Sequence, residues 1–207
     1  VDAAVDRAAK RFVLHGRDPA RDIEVGGDRV FFGTGGAAVQ VVDLDSGRYR
    51  AAALQDLRDF TRLQDALENI SWFTRCCIAT DVADPHDLDM NTAYALLSGT
   101  TKPVASAFTL AENVAPVVAM MDMALGGEGA FAARPILKAH ISPVISPMRY
   151  GADAVEVAYA CIAANMPLSC ITAAQAGATA PATLAGFLAQ SLAETLASLV
   201  MGDAIRP

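Results

Sequence analysis

The chain has 207 residues, 53% of them hydrophobic, and a formal net charge of −7. That supplies enough apolar surface for a large core, as one domain or part of a larger one. The acidic balance argues against a nucleic-acid backbone or an anionic lipid surface as partner.

The opening residues 1–11 read as a polar helix. Phe12-Val-Leu-His15 reads as a short strand, ended by Gly16-Arg-Asp-Pro19. Short strand candidates follow at residues 22–25, 29–32, 38–42 and 48–50. Gly26-Gly27, Gly33-Thr-Gly-Gly36 and Asp43-Leu-Asp-Ser-Gly47 punctuate them. This predicts a small antiparallel β meander within an N-terminal segment, residues 1–52. The run at 33–36 lacks the Lys-Ser/Thr of a phosphate loop and precedes a strand, so that reading is rejected.

From Ala53 to Pro207 helix and strand alternate. Leu57, Phe60, Leu63 and Leu67 share one helix face. A strand over 72–79 follows, then a helix opened by Asp84-Pro85 with Met90, Ala93, Tyr94 and Leu97 inward. A strand over 103–108 leads to a helix opened by Thr109, carrying Val114, Val117, Val118 and Met121 and stopped at Gly126-Gly127. A strand over 135–144 leads to a helix begun by Asp153, with Val155, Ala158, Tyr159 and Ile162 inward. Pro167 begins the last strand, which Gln175-Ala-Gly177 breaks. Pro181 then suits the first helical turn, and Leu184, Leu188, Leu192, Leu196 and Val200 carry the helix to a stop at Gly202. Gln190 and Glu194 argue for a core helix rather than a membrane span.

Prolines at 103, 135 and 167 open the last three of these strands at intervals of 32 residues, the length of one βα unit. Continuous apolar strands indicate a parallel sheet covered on both faces. The expected fold is α/β: a partial TIM (β/α)8 barrel of about four units over residues 53–207, preceded by the meander. A doubly wound sheet is the alternative that the pattern alone leaves open. Half a barrel leaves two sheet edges to be covered or paired. An opening Val and a closing Ile-Arg-Pro suggest a piece of a longer chain. No charged, apolar leader is visible. The four cysteines show no metal-ligand spacing, so free thiols in a reducing cytoplasm are expected.

In a βα barrel the reactive groups sit at the C-terminal ends of the strands. That selects Thr80 and Asp81, then Thr109 and Glu112, then His140, Ser142, Ser146 and Arg149, and last Gln175, Thr179 and Thr183. Thr109-Leu-Ala-Glu112 is explained by a capping box, and Arg149 by pairing with Asp153. Asp81 has no such explanation. His140 lacks a second ligand at metal spacing, so no metal site is expected.

Three stretches carry a family resemblance. They are Gln175-Ala-Gly-Ala-Thr-Ala-Pro-Ala-Thr-Leu-Ala-Gly186, Ile141-Ser-Pro-Val-Ile-Ser-Pro-Met-Arg149, and Gly35-Gly-Ala-Ala-Val-Gln-Val-Val-Asp43 with Gly47-Arg48-Tyr49-Arg50 ahead of Asp56 and Leu57. In order and rough spacing, from about Asp22 onward, the chain resembles the trimethylamine methyltransferase family. The resemblance implies a TIM barrel of about twice this many units. It implies transfer of a methyl group from a tertiary or quaternary amine, of the trimethylamine or glycine betaine class, to the cobalt of a corrinoid. That corrinoid belongs to a separate partner protein, and no tightly bound cofactor is implied here. Phe108 and Tyr150 would offer aromatic faces to a methylated ammonium. Asp81, His140, Gln175, Gly177, Thr179 and Thr183 would face the substrate or the corrinoid, the small residues allowing a bulky ring close approach. The catalytic residue is not identified, and the pyrrolysine position of some members falls after Pro207, which leaves the subgroup open; lacking the second half of the barrel, this piece alone is expected to be inactive.

Two other readings remain open. One is a different barrel enzyme of lyase or aldolase type, which would need a Schiff-base lysine at a strand end. Lys138 lies inside a strand and Lys102 before one. The other is a non-catalytic assembly module, in which the open half barrel pairs with a second copy as a homo-oligomer.

Overall fold

The computed structural model describes residues 1–206. The N-terminal segment holds helix α1 (Asp2–Arg7) and strands β1 (Phe12–Leu14) and β2 (Ile23–Val25), which pair antiparallel around a 3-10 turn at Pro19–Arg21. Strands β3 (Gln40–Val42) and β4 (Tyr49–Ala51) form a second antiparallel pair. The expected meander is therefore two separate ribbons, and residues 29–32 form no strand.

The residues between the ribbons have another task. Gly33 bridges in parallel to Trp72 and Ala38 to Cys77. The Thr34 hydroxyl donates to the Thr74 carbonyl at 2.7 Å and accepts from the Thr74 N–H at 2.9 Å, replacing a strand's backbone. Residues 33–38 thus cover a sheet edge that would otherwise stay open. Close approach needs glycine here. A Cβ on Gly33 would lie 2.1 Å from the Trp72 ring, and one on Gly36 2.0 Å from the Arg75 carbonyl oxygen. We expect Gly36→Ala to destabilise the chain by about 2–3 kcal/mol, as overpacking does. Gly35→Ala, which meets nothing within 4 Å, should leave thermal unfolding unchanged, and equal melting of the two variants would refute the edge role.

The rest alternates helix and strand. The order is α2 (Leu54–Ala66), β5 (Phe73–Thr74), α3 (Pro85–Gly99), β6 (Val104–Ser106), α4 (Val114–Leu125), α5 (Ala130–Ala133), β7 (Leu137–Ile141), β8 (Val144–Ile145), β9 (Arg149–Tyr150), α6 (Ala152–Ala163), β10 (Leu168–Cys170) and α7 (Leu184–Ile205). Strands β5, β6, β7 and β10 form one parallel sheet in chain order, without reversal. Strands β8 and β9 pair antiparallel as a small ribbon after β7. Consecutive long helices pack side by side, α2 on α3, α3 on α4, α4 on α6 and α6 on α7. The core holds Phe73, Leu96, Val104, Val117, Met121, Phe131, Leu137 and Cys161. Full burial of a Leu or Phe side chain contributes about 1.5–3 kcal/mol.

Local chemistry sets the element ends. Asp84 caps α3 by accepting from the Asp87 N–H, with Pro85 at the first turn. Gly126, at φ 107°, ends α4 in the left-handed region. Lys102 is buried and donates to the carbonyls of Gln64 and Leu67, at 2.7 and 2.8 Å, at the C-terminus of α2. This role places Lys102 in a structural cap rather than at a strand's reactive end.

Three expectations are corrected. Thr183, not a residue before Pro181, caps α7 by accepting from the Gly186 N–H. Thr109 forms no capping box; its hydroxyl and N–H both donate to buried Asp89, and the following turn is capped at Leu110 without a side-chain bond. Helix α7 is not a fully buried core helix. Leu184, Leu188 and Leu192 are 73%, 55% and 59% exposed, while Glu194 and Ser198 are buried. By length and composition α7 could cross a membrane. Its packing on α1, α6 and β8 covers only one side, and that side carries the glutamate.

Candidate functional site

Strand β7 alternates strictly. Leu137, Ala139 and Ile141 are buried toward the helices, and Lys138 and His140 lie on the opposite face. Where β6 and β7 end, a cavity of about 350 Å³ opens, lined by Arg75, Phe108, Thr109, His140, Asp153 and Ile171 among others. A larger cleft of about 700 Å³ lies elsewhere, between α4, α6 and the end of α7 at Arg206. Its lining follows the C-terminal ends of helices, away from the strand ends where βα chemistry is placed.

Asp89, on α3, lies behind the cavity and holds its lining residue Thr109. It is 2% exposed and accepts from the Thr109 N–H at 2.8 Å, the Thr109 hydroxyl at 2.9 Å, the Leu110 N–H at 3.3 Å and the Asn113 amide at 2.7 Å. His86 in turn meets the Asn113 side-chain oxygen at 2.7 Å. This network fixes the turn after β6 and so the position of Phe108 and Thr109.

The basic groups nearby, Arg75 and His140 in the cavity and Lys138 outside its lining on the same face of β7 as His140, lack comparable support. Arg75 is half-buried, and its guanidinium makes no hydrogen bond or ion pair among the described residues. Burial pulls its pKa below the usual guanidinium value, against the opposing field of Asp89. The Lys138 ammonium sits 5.2 Å from the centre of the Trp72 ring, and burial lowers its pKa. The His140 Nδ1 is buried without a partner. Burial lowers its pKa, and the nearby charges of Lys138 and Arg75 lower it further.

Of the residues selected from the sequence, the structure brings Phe108, Thr109, His140 and Ser142 together in this cavity. The others have local partners. Asp81 is exposed and accepts from the Leu54 N–H at 2.9 Å, closing the start of α2. The Tyr150 hydroxyl donates to the Ala197 carbonyl at 2.9 Å, tying β9 to α7. Gln175 accepts through its carbonyl from the N–H groups of Ala178, Thr179 and Ala180. The Thr179 hydroxyl oxygen accepts from the Gln175 N–H at 3.0 Å. Gly177 takes φ 79° in the same exposed turn, and Thr183 caps α7. Arg149 forms no ion pair with Asp153 among the described residues.

The sequence reading did not single out Arg75, which lines the cavity, or the buried acceptors Asp89 and Glu194. Glu194 is buried and accepts from the Ser146 hydroxyl at 2.7 Å, the Met148 N–H at 3.0 Å and the Gln190 amide at 3.0 Å. It thereby holds residues 146–148 against α7. Arg75 did leave a signal, as the one charged side chain within the apolar run 72–79. All four cysteines are free. No group of three or more His, Cys, Asp or Glu is placed to hold a metal among the described residues.

Comparison with known proteins gives this geometry its context. A family model described as trimethylamine methyltransferase matches residues 1–207. The trimethylamine methyltransferase MttB of Desulfitobacterium hafniense is 30% identical over 203 residues, covering 98% of this chain and 40% of that protein. A glycine betaine methyltransferase of the same species is 26% identical over 212 residues, covering 100% of this chain and 43% of the relative. The trimethylamine methyltransferase MttB1 of Methanosarcina mazei is 28% identical over 211 residues, covering 100% and 42%. This chain thus spans about two fifths of the length of the curated relatives it matches. With the family model matched along all of it, the chain belongs to the trimethylamine methyltransferase family.

Proposed function

We propose that the protein to which this chain belongs moves a methyl group from a methylated amine to the cobalt of a corrinoid held by a partner protein. The four parallel βα units are then part of a TIM barrel. The carrying observation is the Phe108–His140 cavity, at strand C-termini, in a chain whose relatives are named for trimethylamine and glycine betaine. Strands in unreversed chain order with consecutive helices side by side support the barrel. Free thiols suit a reducing cytoplasm.

The reaction is a displacement at a methyl carbon. A corrinoid on the partner would supply the nucleophile when bound, and a quaternary nitrogen would leave as a neutral amine, so that no residue here need move a proton for such a donor. The residues of this chain bind and orient. The Phe108 ring face and the Asp153 carboxylate on the cavity suit a methylated ammonium. The exposed turn at 175–183 is built of small residues, and a Cβ on Gly177 would meet only the Ala182 Cβ, at 3.9 Å. That open surface fits close approach of a flat macrocycle.

The test is methyl transfer to cob(I)alamin, followed by absorbance, for this chain and for the full-length protein with its corrinoid protein supplied. Trimethylamine, glycine betaine, proline betaine and carnitine form the donor panel. Transfer by the full-length protein is expected with at least one donor and by this chain alone with none. Failure with every donor would sink the reading.

A further inference from the structure

Helix α7 is hydrogen-bonded to two segments that follow neighbouring strands of the sheet, β7 and β10. The first is the β8–β9 ribbon, residues 144–150, whose Ile145 lines the Phe108–His140 cavity. The second is the turn at 175–180, reached from β10 through Ile171, which lines the same cavity. Gln190 and Glu194 lie four residues apart on α7 and share one of its faces.

Their hydrogen bonds join the two segments in one unbroken line. Glu194 is 1% exposed. Its Oε2 accepts from the Ser146 hydroxyl at 2.7 Å. Its Oε1 accepts from the Met148 N–H and from the Gln190 amide, both at 3.0 Å. The same Gln190 nitrogen also donates to the Thr179 carbonyl at 2.8 Å. Both partners of Gln190 are acceptors, which sets its nitrogen rather than its oxygen toward them. Among the described residues, the other hydrogen bonds of 175–180 run within the turn.

Neither segment depends on this line for its own shape. The ribbon has its strand pairing and the turn its internal bonds. A buried carboxylate costs desolvation that an apolar residue would avoid. What Glu194 and Gln190 add is the position of one segment relative to the other.

We propose that Gln190 and Glu194 are positioning residues for the methyl transfer: from one face of α7 they hold the 175–180 turn against the 144–150 ribbon, and so set the spacing between the donor cavity and the surface that meets the corrinoid. This rests on the methyl-transfer reading above. Displacement at a methyl carbon needs donor and acceptor in line, and a misplacement of about 1 Å costs on the order of a hundredfold in rate.

The experiment uses the full-length protein, with the donor panel above and the corrinoid protein supplied for the rate measurements. Gln190→Met, at a half-buried helix position, keeps length and helix propensity and removes both donations. Amide hydrogen exchange at 176–180 should rise about tenfold, with the Met148 N–H unchanged. Donor affinity by calorimetry should stay the same, while the rate of cobalt methylation at saturating donor falls about ten- to a hundredfold. Gln190→Lys, whose ammonium can donate to both acceptors, should recover most of the protection and the rate. Glu194→Gln leaves one oxygen for three donors, so exchange should rise in both segments and donor affinity should fall too. Thr195→Ala removes a hydroxyl bonded to the Ser191 carbonyl of its own helix and is the control that should change neither.

Exchange at 176–180 that stays constant in Gln190→Met, or that rises equally along the whole chain, overturns the proposal. A loss of donor affinity as large as the loss of rate overturns it too, since Gln190 then acts on the cavity itself. Undiminished methylation by Gln190→Met overturns the positioning role and keeps the methyl-transfer reading. Selective loosening of the turn in a protein that methylates cobalt from no donor overturns that reading and keeps the link between the segments.

Discussion

Asp89→Ala is expected to destabilise the chain by about 3–5 kcal/mol, the size seen when a buried charged partner is removed. The carboxylate is 2% exposed and serves two backbone N–H groups, a hydroxyl and an amide. Alanine leaves the donors of Thr109, Leu110 and Asn113 without an acceptor at the end of β6. At this chain length such a loss lowers the melting temperature by roughly 10 °C. Asp89→Asn keeps an acceptor oxygen and should fall between the two. Because the same turn carries Phe108 and Thr109 into the cavity, ligand affinity should fall with stability. Thermal unfolding of Asp89→Ala within about 2 °C of the unaltered protein would show that the network carries little of the fold.

Glu194→Gln should lower stability at neutral pH by about 1–3 kcal/mol, and that difference should vanish in acid. Burial alone would raise the Glu194 pKa. Hydrogen bonds from the Met148 N–H, the Ser146 hydroxyl and the Gln190 amide favour the carboxylate, and the net position is below the ordinary 4.5. The folded pKa is therefore depressed relative to the unfolded one. The stabilisation is fully present above the unfolded value and is lost as pH falls through the folded value. Other carboxylates with lowered values, Asp22 and Asp65, lose stability in the same direction. The informative quantity is thus the gap between protein and variant in denaturant unfolding across pH 7 to 3. A gap that stays constant with pH would show that the charge of Glu194 is not what holds residues 146–148.

The large elements were legible because their signals are local. The helical spacing of Leu57 and Phe60 in α2, the capping Asp84 with Pro85, the stop at Gly126 and the prolines preceding β6, β7 and β10 depend on nearby chain alone, although Leu63 and Leu67, read on the same face, are exposed. The βα alternation and the parallel sheet followed from them. The antiparallel meander did not, since strand propensity at 29–42 cannot say which neighbour the strand will find. Residues 33–38 lie against Trp72 through Cys77 because two glycines let the backbones touch.

The candidate site divides the same way. His140 and Phe108 were picked by their place at strand ends, and they line one cavity. Thr109 looked like a helix cap until a carboxylate twenty residues earlier in the chain claimed its hydroxyl and N–H. Composition showed an apolar α7; packing decided that Glu194 would be its buried residue and Leu184, Leu188 and Leu192 its exposed ones. The sequence by itself determined the order of helices and strands, the family and the residue types available. Only the tertiary structure decided that Arg75 would line one cavity with Phe108, His140 and Asp153. Side-chain periodicity is written in neighbouring residues, whereas the partner of a charge is set by which distant strands come together.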